Sequence, residues 1–167
     1  MILSPSIFEG EISIGQQFSP SVDRNVEWFI NEYEPKYCSA VIGEKLYGEL
    51  IDGLHIDDEN SEIQIEERWL TLKEKLTSTC ARYVYFHYMK NMVTGTMGSG
   101  EYATMAENSE RKSPWLKMVS AWNKMVDETP GIRKWIDKKS DVYPDYLPNL
   151  KLYVELGISR YENMWGV

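Results

Sequence analysis

Glu66 to Val93 reads EERWLTLKEKLTSTCARYVYFHYMKNMV, and it contains neither glycine nor proline. Trp69, Leu72, Leu76, Thr79/Cys80, Tyr83 and His87 recur at steps of three and four, the spacing of one helix face. Glu66 and Glu67 suit the positive start of a helix dipole and Lys90 suits its negative end. At 1.5 Å per residue such a helix is about 40 Å long. It is long for a domain of 167 residues, so other segments are expected to pack along it. Its second half, ARYVYFHYMKNM, is aromatic on almost every side, which fits a helix covered all round or shared between molecules.

Outward from this helix the chain divides into three parts. Residues 1–20 are punctuated by Pro5, Gly10, Gly15 and Pro20, and Ile12 and Ile14 alternate with Glu11 and Ser13. That period predicts a short strand in an extended N-terminal arm, which pairs either on the body or on another chain. Residues 21–138 form the helical domain. A first helix is expected from Ser21 or Asp23, with Val26, Phe29, Ile30 and Tyr33 on its apolar face. Pro35 predicts a turn after Tyr33-Glu34 and then opens a second helix, which stops at Gly53. Residues 54–65 read as an acidic solvated loop. Residues 94–113, with three glycines and little periodicity, read as a long loop, and loops of that length usually do something. A helix follows Pro114 with the stripe Trp115, Val119, Trp122, Met125 and Val126. Pro130-Gly131 is expected to interrupt it, leaving IRKWIDKKS as a short separate piece. Residues 139–167 are an irregular tail or docking segment. There Leu150, Leu152 and Val154 alternate as in a short strand, and Trp165 lies close to the terminus. The fold class is therefore mainly α, a helical bundle around one long helix.

The net charge is −8, which argues against a protein that grips nucleic acid and is compatible with one past which DNA slides. The aromatic fraction of 13% favours interfaces as well as cores. Cys38 and Cys80 sit among apolar neighbours and are expected to be buried free thiols. No basic region followed by an apolar run opens the sequence, and no apolar stretch is long enough for a membrane span. Synthesis in a reducing cytoplasm is the expectation.

Candidate chemistry is sparse. Asp57, Asp58, Glu59 and Glu62 lack the ligand order and central glycine of a calcium loop. TGTMGSGE lacks the lysine of a phosphate-binding loop and follows a helix, where a dinucleotide fingerprint needs a strand. His87 has no acidic residue at i±3 or i±4, His55 opens the acidic loop, and both read as structural imidazoles before general bases; Arg111, Lys112, Lys117 and Lys124 are offset by Glu107, Glu110 and Asp127. Neither a catalytic residue, nor a cofactor, nor a metal is expected.

Three stretches taken in order carry a resemblance: FINEYEPKYCSAVIGEKLYGEL (Phe29–Leu50), ARYVYFHYMKNMVTGTMGSGEYATMAENSERKSP (Ala81–Pro114) and WLKMVSAWNKMV (Trp115–Val126). Over roughly residues 1 to 130 the chain resembles the small helical head–tail connector, or adaptor, proteins of tailed bacteriophages, especially the crAss-like phages that infect Bacteroides. The resemblance implies a virion structural protein, not an enzyme. It implies a homo-oligomeric ring, typically of about twelve subunits, whose closure uses heterologous contacts. The ring would lie beneath the portal protein, extend the DNA channel without reading sequence, and offer a surface to tail or other connector proteins. Assembly in the host cytoplasm and residence in the neck of the virion follow. On this view Phe8, Ile12 and Ile14 of the arm, Met97, Tyr102 and Met105 of the loop, and Trp165 of the tail would meet neighbouring subunits or the portal. The rival readings are a small regulatory binding module and a small helical enzyme built on His87.

Overall fold

The computed structural model describes residues 1–14, 20–55, 66–97, 100–103 and 114–161. The protein is mainly helical. The elements are α1 (Pro20–Ile42), α2 (Glu44–Leu54), α3 (Glu67–Val93), β1 (Thr94–Met97), β2 (Gly100–Ala103), α4 (Pro114–Asp137) and α5 (Leu150–Glu155). α1, α2 and α4 all pack on α3. Trp69, Leu72, Leu76, Cys80 and Tyr83 are buried along one face. Val84, Tyr85, Phe86 and Tyr88 are buried as well, because α1 and α4 take different sides of the aromatic half.

The expected turn at Pro35 does not form, and α1 runs through it. A proline inside a helix costs about 3 kcal/mol. Phe29, Ile30, Tyr37, Cys38 and Val41, on both sides of it, are buried, and each fully buried large side chain returns about 1.5–3 kcal/mol. Glu34, which precedes the proline, is also fixed from outside the helix. Its buried carboxylate accepts the backbone N–H groups of Ile2 (2.8 Å) and Leu3 (2.9 Å) and the hydroxyl of Tyr47 (2.9 Å). The break falls at Gly43 instead, where φ is +93°. The Leu147 carbonyl occupies the place of a Gly43 side chain, and the Leu147 N–H donates to the Ile42 carbonyl at 3.3 Å. Gly53 has a packing role ahead of its place near the end of α2: the Trp69 indole fills the space its Cβ would take.

Pro130 likewise lies inside α4 and does not interrupt it. Ile132 and Ile136 beyond it are buried in register with Trp122 and Met125 before it. Thr129 is buried beside the proline; its hydroxyl bonds the Met125 carbonyl (2.7 Å) and the Tyr37 hydroxyl (2.8 Å).

Both chain ends differ from expectation. Residues 1–14 hold two short 3-10 turns, Pro5–Ile7 and Gly10–Ile12, in place of a strand around Ile12 and Ile14. Ile2, Leu3, Phe8 and Ile14 are buried against the helical body. Leu150 to Val154 is helical rather than extended. Asn149 caps α5 by accepting the Leu152 N–H at 2.9 Å, a local bond that a strand without a partner cannot match. Within residues 139–161 the tail is docked: the Tyr143 hydroxyl donates to the Arg68 carbonyl (2.9 Å), and the Trp122 indole donates to the Ser159 carbonyl (2.7 Å). The segment expected as one long loop begins as an antiparallel hairpin, with Thr94 opposite Ala103 and Met97 opposite Gly100.

Candidate interaction surface

The two ends of the helical body differ in chemistry. At the end where α3 leads into the hairpin, large apolar side chains face solvent: Trp28 is 56% exposed, Trp115 47% and Leu116 63%. Trp28 meets Phe29 edge-on at 4.9 Å, and Phe29 meets Tyr88 of α3 at 5.4 Å. Trp115 lies in the first turn of α4, against Tyr161 at 5.9 Å. Tyr161 in turn reaches Phe86 and Trp122, each at 5.7 Å.

At the other end, the corner of α1 and α2 meets the chain that leads into α5. An open cleft of about 560 Å³ lies there, lined by Gly43, Lys45, Asp145, Leu147, Pro148 and Leu150 among others. Leu147, Leu150 and Val154 are 77%, 60% and 76% exposed. Asp145 pairs with Lys45, whose hydrogen bond and charge hold the Asp145 carboxyl below its usual range. Glu49 shares a hydrogen bond with Asp145; partial desolvation and then that bond push its own carboxyl up.

His87 lies in an aromatic box between these ends. Tyr33 stacks on it at 4.1 Å, Tyr83 meets it edge-on at 4.7 Å, and Phe86 and Trp122 complete the enclosure. Burial, and then Lys90 and Lys36, push its pKa down to about 4. Its Nε2 is buried with no hydrogen-bond partner among the described residues. Aromatic rings thus surround the imidazole where a general base would need an orienting carboxylate. Cys38 and Cys80 are buried free thiols with their sulfurs 3.9 Å apart. Burial, and then the neighbouring Cys38, push the Cys80 thiol up, away from the reactive thiolate.

The residues expected to meet other subunits divide into three groups. Phe8 and Ile14 are buried within their own chain, and Ile12 is half-buried against it, so in this conformation the arm serves its own core. Met97 and Tyr102 belong to the backbone of β1 and β2, with side chains outside the described set, and Met105 and Trp165 lie outside the described residues. The residues that do stand exposed were not singled out. Trp28 carried a signal, since it falls off the apolar face of Val26, Phe29 and Ile30. Trp115 was hidden by fitting the α4 stripe too well.

No helix among the described residues is long and apolar enough to cross a membrane. No group of three or more His, Cys, Asp or Glu side chains among them is arranged to hold a metal ion. Comparison with known proteins finds no matching family model, no matching curated protein and no matching solved structure.

Proposed function

We propose that this chain is a virion structural protein, a ring-forming head-to-tail connector. It docks on the portal, joins it to the tail and extends the channel through which DNA passes. The observation that carries the proposal is the pair of exposed apolar regions on a small helical body, the indole-bearing end around Trp28 and Trp115 and the Leu147–Val154 region. Large apolar residues left exposed on a small body suit surfaces that other protein covers. The sequence resemblance over residues 1–130 supplies the identity of the assembly, and the acidic balance of the chain suits a wall along which DNA slides.

The test is native mass measurement of the purified protein alone and after mixing with portal rings. The expected result is a ring of this chain bound to the portal. A protein that stays monomeric and joins neither portal nor tail rings contradicts the proposal.

A further inference from the structure

The chain has two cysteines, and the fold brings them together from 42 positions apart. Cys38 lies near the end of α1 and Cys80 at the middle of α3. Both side chains are fully buried, and their sulfurs meet at 3.9 Å. Neighbours on both helices hold them there. Tyr37 and Val41 flank Cys38, Leu76 and Val84 flank Cys80, and all four are buried. The Tyr37 hydroxyl is further tied to Thr129 of α4 at 2.8 Å. A disulfide has its sulfurs about 2.05 Å apart, so closure asks each sulfur to move by about 1 Å. That is the scale of a side-chain adjustment, not of a helix displacement.

We infer that Cys38 and Cys80 are a modification site, which closes under oxidising conditions into one disulfide that pins α1 to α3 inside the core. The inference is independent of the connector reading. No third cysteine competes, so an internal disulfide in this chain can only be this one. The co-reactant is a low-molecular-weight disulfide such as oxidised glutathione. One cysteine thiolate attacks it, forming a mixed disulfide and releasing one small thiol. The second cysteine thiolate then attacks the sulfur of the first, forming the Cys38–Cys80 bond and releasing the other small thiol. Two electrons pass from the cysteines to the oxidant, and the two protons end on the released thiols. Attack needs a thiolate and access, and the closed core denies both: burial pushes the Cys80 thiol up, and neither sulfur meets solvent. Exchange therefore runs through openings in which α1 and α3 part. The same barrier shields the product from reductants, and the new bond makes those openings rarer. Where reduced glutathione dominates, the pair stays a dithiol; in oxidising surroundings it closes and stays closed.

The test equilibrates the full chain with mixtures of reduced and oxidised glutathione, in buffer and in urea. Each series starts once from the dithiol and once from crosslinked chain, prepared by refolding from urea with oxidised glutathione, so that slow exchange is not mistaken for equilibrium. Mass and peptide mapping read the Cys38–Cys80 bond. The equilibrium constant for crosslinking should be higher in the folded chain than in urea by about a hundredfold or more, because a bond that stabilises the fold is stabilised by it to the same degree. The folded crosslinked chain should melt about 10 °C above the dithiol. Its reduction should be slower in buffer than in urea. All three readouts use the wild-type chain, so none waits on a variant that folds. A constant no higher in the folded chain than in urea overturns the inference. So does a crosslinked chain that melts at or below the dithiol, or oxidised chain that carries glutathione or joins a second chain in place of the internal bond.

Discussion

At the scale of single residues, Glu34 makes the most consequential contacts. One buried carboxylate holds two backbone amides of the N-terminal segment and the Tyr47 hydroxyl of α2, and so fastens three parts of the chain together. Removing an acceptor that leaves buried donors unmatched costs more than the bond itself contributes. Glu34→Ala should therefore lower stability by about 3 kcal/mol, read from urea unfolding. His87 yields a pH dependence. Its folded pKa of about 4 lies below the 6.5 of an unrestrained imidazole, so the unfolded chain binds the extra proton between those values. Stability should be fully present above about pH 6.5 and fall as pH drops toward 4, by about 2–3 kcal/mol, flattening below that. His87→Phe should remove that part of the slope while keeping the aromatic box filled, and unchanged acid sensitivity in this variant would refute the assignment. No hydrolytic or transfer activity is expected to depend on His87.

At the scale of elements, the corner between α1 and α2 is set by Gly43. Its φ of +93° and the Leu147 carbonyl against it leave no room for a side chain. Gly43→Ala should cost about 3 kcal/mol or more, seen as a lowered melting temperature, with Gly48→Ala, at an open helical position, as a neutral or stabilising control. α3 was legible from its periodicity because its pattern is long and free of breakers. The prolines misled for a common reason. Pro35 and Pro130 each break a local rule, and in each case a buried neighbour, Glu34 or Thr129, and apolar residues on both sides hold the helix together. Those partners come from distant parts of the sequence, so no local pattern announces them. Leu150 to Val154 spans five residues, too short for alternation to be told from a helix whose outer face is apolar, and the Asn149 cap was the overlooked cue. The N-terminal strand rested on two alternating isoleucines alone.

At the scale of the whole molecule, the core is made by α3 and its three partner helices. Among the described residues, large apolar side chains stand exposed in two regions, around Trp28 and Trp115 and around Leu147 to Val154. The acidic excess of residues 44–67 was readable in the sequence, but which apolar side chains stand outside the core depends on packing. On the proposed reading, two separate apolar regions suit a connector, whose faces meet different neighbours. The exposed pair Lys124–Glu11, by contrast, should matter little: Lys124→Ala is expected to change stability by less than about 1 kcal/mol and to leave assembly intact. The most direct measurement is a reconstruction of the neck of the assembled particle. The account predicts a closed ring of this chain between portal and tail, lining the DNA channel. Purified, infectious particles whose neck contains no copy of this chain would contradict it.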